Sequence, residues 1–218
     1  MATARTTSIE AAAERIRSGG VLAIIRGRFE TAALLAIAAA LRDAGLTAME
    51  VTLNSPGAAE HIATLREQLG ASMLIGAGTV RNPAQVDHAI AAGAEFLISP
   101  GFDAASVARS QAAGVLHLPG VLTPSEAQQA AIAGCRMLKL FPADAFGPGY
   151  LKSIRAPLDD LDFVPTGGVT ADNIAAWRSA GAAAVAAGST LVRGPDQPID
   201  EVFARATAMR RAWESARG

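Results

Sequence analysis

Eight short β-rich apolar runs alternate along this chain with alanine-rich amphipathic stretches, and that alternation restricts the fold more than any other feature. Strand-then-helix repetition is the pattern of βαβ units on a parallel sheet. The runs are Val21 to Arg26, Ala48 to Leu53, Met73 to Gly78, Phe96 to Ser99, Val115 to Pro119, Met137 to Phe141, Asp162 to Pro165 and Ala184 to Gly188. Between them, helices are predicted over Thr31 to Ala44, Ala58 to Leu69, Pro83 to Ala92, Ala104 to Ala113, Pro124 to Ala133, Gly149 to Ile154 and Asp172 to Ala180. Helical patterning also marks Ala11 to Ile16 at the start and Ile199 to Ser215 at the end. Five helical stretches close on an Ala-Gly pair, at Gly45, Gly93, Gly114, Gly134 and Gly181, where a left-handed C-terminal cap is expected. The recurrence lacks the leucine and asparagine pattern of a leucine-rich repeat. Eight strand-helix units point to one closed (β/α)8 barrel over residues 1–218 with an N-terminal helix. An open doubly wound sheet is the alternative, but no Gly-x-Gly-x-x-Gly turn follows the first strand.

Charge narrows the partners. With 19 Lys plus Arg against 20 Asp plus Glu, the net charge of -1 gives no electrostatic footprint for nucleic acid or for an anionic membrane surface. A small molecule is the expected ligand. No apolar run reaches the roughly 18 residues of a membrane span. Met1 to Ile9 shows no apolar core of a signal peptide, and Cys135 is the single cysteine, so a disulfide framework is excluded and the cytoplasm is expected. Only two of the 19 basic residues are lysines, Lys139 and Lys152.

In a barrel of this type the chemistry sits at the C-terminal ends of the strands. Strand side chains alternate faces, so if Leu138 and Leu140 pack under the helices, Lys139 points inward. It would then either snorkel to the rim beside an acid or, desolvated and with a lowered pKa, attack a carbonyl carbon to form a Schiff base. Lys152, on a polar helical stretch, reads as a surface charge. The same parity turns Ala48, Glu50 and Thr52 inward, which suits Glu50 either as ion-pair partner of Arg26 or Lys139 or as a general acid/base. Arg26 ends the first strand, where an arginine fork fits a carboxylate or a phosphate. Gly76-Ala77-Gly78-Thr79 offers close backbone approach and a hydroxyl. Thr166-Gly167-Gly168 and Gly188-Ser189, at the ends of the last two strands, match a barrel phosphate site completed by a helix N-terminus, although tight turns would also explain each glycine group. His61, His88 and His117 fall in different units without metal-ligand spacing, so a metal-dependent mechanism is not expected. His117 reads as a satisfied core residue, and Cys135 as inert.

The segments Ala48 to Leu53, Ile75 to Val80, Ile98 to Gly101, Pro119 to Glu126, Leu138 to Ala143 and Pro165 to Val169 closely resemble the bacterial 2-keto-3-deoxy-6-phosphogluconate and 2-keto-3-deoxy-6-phosphogalactonate aldolases, in order along nearly the whole chain. The resemblance implies a (β/α)8 barrel, a homotrimer, and a class I aldolase needing neither metal nor cofactor. It implies that Lys139 forms the Schiff base and that Glu50 shuttles protons. Arg26, Thr79, Pro100 and Phe141 would shape the pyruvate end, and Gly167, Gly168, Gly188 and Ser189 would hold the phosphate. Asn54-Ser55-Pro56 and Ala145-Phe146-Gly147-Pro148 look like the galactonate type. Thr166 looks like the gluconate type and would contact the C4 hydroxyl, the one centre at which the sugars differ. The galactonate substrate is expected on balance. A sugar-phosphate isomerase or epimerase without a covalent step, or an idle phosphate-binding barrel, stays as an alternative.

Overall fold

The computed structural model describes residues 7–216. Residues 1–6, on which part of the leader reading rests, lie outside that range. The chain opens with α1 (Ile9–Gly19), followed by β1 (Val21–Ile25), α2 (Thr31–Asp43), β2 (Ala48–Thr52), α3 (Ala58–Leu69), β3 (Leu74–Gly78), α4 (Pro83–Ala91), β4 (Phe96–Ile98) and α5 (Ala104–Ala112). It continues with β5 (Leu116–Leu118), β6 (Gly120–Val121), α6 (Pro124–Ile132), β7 (Met137–Leu140), α7 (Gly147–Arg155), β8 (Asp162–Pro165), α8 (Ile174–Ser179), β9 (Val185–Ala187) and α9 (Ile199–Ser215).

All strand pairings are parallel, in two ladders ordered β5-β4-β3-β2-β1-β9 and β6-β7-β8. The ladders close into one barrel. Thr166, just past β8, bridges to Ala186 in β9, and β5 runs into β6 through Pro119. The fifth barrel strand is therefore broken in two, because Pro119 has no N–H to donate to a ladder, and its second piece, β6, lies beyond the predicted end at Pro119. The Pro119 carbonyl still accepts from the Lys139 N–H at 3.0 Å. Closure removes the open-sheet alternative.

Local chemistry sets the helix ends. Ser8, Asn82, Asp103 and Thr123 each accept a hydrogen bond from a first-turn backbone N–H, and Thr123 forms a reciprocal capping box with Glu126. The five glycines of the Ala-Gly pairs all have positive φ, between 71° and 94°. Three helices differ from their predicted spans by two residues or more, and the first of them, α1, extends beyond the predicted Ala11 to Ile16 at both ends. The helix predicted from Gly149 starts at Gly147, and that predicted from Asp172 starts at Ile174, because the Asn173 side chain ties up the Thr170 N–H and the Gly168 carbonyl in a turn.

Parity divides the core into two layers. Met49, Val51, Leu138, Leu140 and Phe163 pack outward under the helices, while Leu22, Ile24, Ala48, Met137 and Val164 fill the barrel interior. Ala12, Ala13 and Ile16 of α1 join the interior layer and plug the end opposite the C-terminal strand ends. Ile16 alone, 1% exposed, stabilises the closed end by roughly 1.5–3 kcal/mol.

Candidate active site

Lys139 lies on β7 between the outward Leu138 and Leu140 and is 4% exposed, so the expected inward orientation holds and the snorkelling alternative does not. Burial lowers its pKa, attraction to Glu50 raises it, and repulsion by Arg26 lowers it again. Its Nζ sits over the Phe141 ring, 4.6 Å from the centroid. Glu50, at the centre of β2, is 1% exposed, and burial pushes its carboxyl up to about 7 against the pull of Lys139 and Arg26. No direct ion pair to Glu50 forms within 4.0 Å among the described residues, and its Oε2 is buried without a protein hydrogen-bond partner. The direct ion-pair role considered from the sequence is thus not what the geometry contains. Two buried groups are each biased toward the uncharged form inside one barrel.

The glycines of β3 serve a purpose that the sequence reading misjudged. A Cβ on Gly78 would lie 2.5 Å from Glu50 Cδ and 2.8 Å from Oε2, and one on Gly76 would lie 2.5 Å from Cε1 of Phe96. The space freed by the missing side chains is filled by the Glu50 carboxylate and the Phe96 ring instead of being open to a ligand. Thr79, which follows, is half-buried with φ 58°.

Next to this pair, at the C-terminal ends of β1, β7, β8 and β9, a cavity of about 240 Å3 is lined by Arg26, Phe141, Thr166, Gly167, Gly168, Gly188 and Ser189, seven of the residues singled out from sequence. Lys139 adjoins it through Phe141. Thr79 and Pro100 do not line it. Pro100 is exposed after β4, and its carbonyl packs so closely on Gly120, the register partner of Lys139, that a Cβ there would collide. Thr166 is buried, and its hydroxyl donates to the Val164 carbonyl at 3.3 Å.

The expected phosphate cradle differs in one respect. After β9 the chain makes a single turn, closed by the Leu191 and Val192 N–H groups on the Gly188 carbonyl, and no helix begins until Ile199. Gly167 and Gly168 have positive φ, as the tight-turn reading requires, whereas Gly188 does not. The sequence reading also missed Thr190, Val192 and Arg193 on the cavity wall. The available signal was their position just beyond a barrel strand's C-terminal end.

Other candidates fall outside the site. Lys152 is exposed on α7. His117 is held between Ser99 and Ser110, at 2.6 and 3.1 Å, and burial depresses its pKa to about 4. Burial pushes the Cys135 thiol up to about 11.

The family model for KDPG and KHG aldolase matches residues 12–204. Over 197 residues the chain is 37% identical to the 2-dehydro-3-deoxy-6-phosphogalactonate aldolase of Escherichia coli (strain K12), spanning 90% of this chain and 95% of that protein. The native KDPGal structure superposes with a TM-score of 0.86 at 36% identity, over 90% of this chain and 95% of its own. The KDPG aldolase from Legionella pneumophila, with pyruvate captured at low pH as a covalent carbinolamine intermediate, superposes with a TM-score of 0.79 at 30% identity, over 94% and 97%.

Proposed function

This chain belongs to the KDPG and KHG aldolase family, and on that premise we propose that it cleaves a 2-keto-3-deoxy-6-phospho sugar acid to pyruvate and glyceraldehyde 3-phosphate, with the galactonate-type sugar preferred. The observation that carries the reading is the buried Lys139–Glu50 pair beside the cavity. The neutral Lys139 amine adds to the C2 keto carbon, and water leaves from the carbinolamine with Glu50 as proton donor. The resulting iminium is the electron sink. As the C4 hydroxyl gives up its proton to the Glu50 carboxylate, the C3–C4 bonding pair moves into a C2–C3 enamine and the aldehyde departs. Glu50 then returns a proton to C3, and hydrolysis frees pyruvate and the lysine. A carboxyl with a pKa of about 7 suits both directions of transfer near neutral pH.

Arg26 faces the cavity and fits the carboxylate, while Gly167, Gly168, Gly188 and Ser189 fit the phosphate. Thr79, Pro100 and Phe141 belong to the pyruvate end in the same proposal. The galactonate preference is supported by Asn54-Ser55-Pro56, where the Ser55 hydroxyl accepts from the Gly27 N–H at 3.0 Å and so ties this loop to the residue after Arg26. Thr166 on the cavity wall favours the gluconate-type sugar as a second reading. Among the described residues no helix is long and apolar enough to cross a membrane. Cytoplasmic activity as a homotrimer completes the proposal, and a native mass of three chains would support the assembly.

Incubation with pyruvate and borohydride should leave a reduced pyruvyl group on Lys139 and abolish cleavage. An adduct on Lys152, or intact cleavage without an adduct, would refute the assignment of the Schiff base to Lys139, whereas a parent protein that neither cleaves nor forms an adduct would return the isomerase alternative. Lys139→Arg should be inactive, since a guanidinium stays protonated. A coupled assay with both phosphorylated sugar acids decides the substrate.

A further inference from the structure

We propose that Arg193 is a cationic contact for the substrate's phosphate, reaching the cavity from the loop after β9; this rests on the sugar-phosphate reading above. The cavity wall carries two charged side chains, Arg26 and Arg193, and both are arginines. A sugar acid with a carboxylate at one end and a phosphate at the other presents two anionic groups. One cation for each end follows from the lining. Arg26 directly follows β1, near the buried pair, whereas Arg193 follows the turn that carries Gly188 and Ser189.

The segment that carries Arg193 is pinned. Its backbone N–H donates to Gln197 Oε1 at 2.7 Å, and Arg205 Nη1 donates to the Thr190 carbonyl at 2.8 Å. A pinned backbone lowers the ordering cost of binding. The guanidinium itself is not used up. Its Nη2 pairs with Glu201 Oε1 at 2.9 Å, but the same oxygen already accepts from Arg205 Nε at 2.9 Å and Nη2 at 2.8 Å. Two arginines thus share one carboxylate, and the cluster keeps a net positive charge. If Arg193 turns to an anion, Glu201 stays neutralised by Arg205. With its side chain 58% exposed, Arg193 has room to make that turn, and its planar fork matches a phosphate bidentately.

The test compares the parent with Arg193→Gln and Arg193→Lys in two measurements. Calorimetric titration with inorganic phosphate, which needs no turnover, should show affinity about tenfold to hundredfold weaker in Arg193→Gln and an intermediate loss in Arg193→Lys. The ratio of kcat/KM for the phosphorylated over the unphosphorylated sugar acid should fall by a similar factor, carried by KM. Phosphate affinity equal to the parent's in Arg193→Gln, or no phosphate binding to the parent, would overturn the proposal. So would an equal loss on both sugar acids, which would mark Arg193 as a packing element of the loop. Failure of pyruvate trapping at Lys139 in the parent would instead refute the aldolase reading and leave the calorimetric result to judge Arg193.

Discussion

Gly78→Ala tests whether the position of Glu50 is what the proton steps depend on. Gly78 lacks a positive φ, so alanine meets no backbone strain there, and its effect comes through the side chain it adds. That Cβ would sit 2.5 Å from Glu50 Cδ and 2.8 Å from Oε2, so reaching an ordinary 3.4 Å contact requires the carboxylate to retreat by about 1 Å, a misplacement that can cost roughly 100-fold in rate. Overpacking adds a stability loss of about 1 to 3 kcal/mol. The assay is exchange of the pyruvate methyl protons with deuterated water, followed by NMR, alongside a thermal melt. The variant should still form a borohydride-trappable adduct at Lys139 yet exchange about 100-fold more slowly. Gly76→Ala is the control, because its Cβ strikes the Phe96 ring and its penalty should fall mainly on stability. A folded Gly78→Ala protein that exchanges at the parental rate would refute the assignment of proton transfer to a fixed Glu50.

Glu50→Gln should lower exchange by about 10² to 10⁴. With the carboxyl near 7, exchange in the parent should rise as pH climbs through that value, and this limb should vanish in Glu50→Gln; a limb that persists would assign it to another group. Thr166→Val should shift the kcat/KM ratio toward the galactonate-type sugar by about tenfold to hundredfold, and an unchanged ratio would place stereochemical reading elsewhere. His117 titrates near 4 in the fold and near 6.5 unfolded, so the unfolded chain binds its proton first and stability falls as pH drops from 6.5 to 4, by about 3 kcal/mol. Glu50, with its raised pKa, acts in the opposite sense over an overlapping window, so the His117 effect is read as the difference between parent and His117→Gln. That gap should narrow between pH 7 and pH 4.5, and a constant gap would contradict the linkage.

The sequence by itself determined what depends on the local period of the chain. Alternation along a strand is set by backbone geometry, so the inward placement of Lys139 and Glu50 and the outward placement of Leu138, Leu140, Met49 and Val51 were legible from a few neighbouring residues. The left-handed caps at Gly45, Gly93, Gly114, Gly134 and Gly181 were equally local. Family likeness in ordered segments added the barrel and the aldolase chemistry.

Tertiary structure alone decided what occupies the space between strands. Gly76 and Gly78 read as openings for a ligand, but the register of β2 on β3 brings Glu50 into the gap at Gly78, and the pairing of Ala77 with Leu97 brings Phe96 from β4 into the gap at Gly76. The plugging of the barrel by Ile16 likewise depends on partners far along the chain. The pKa values of Lys139 and Glu50 belong to the same class, since burial comes from the whole barrel. Arg193 gains its meaning only when closure brings the loop after β9 beside β1 and β8. Local periodicity fixes which way a side chain points, whereas what it meets there is fixed by register and closure, which no short stretch of sequence contains.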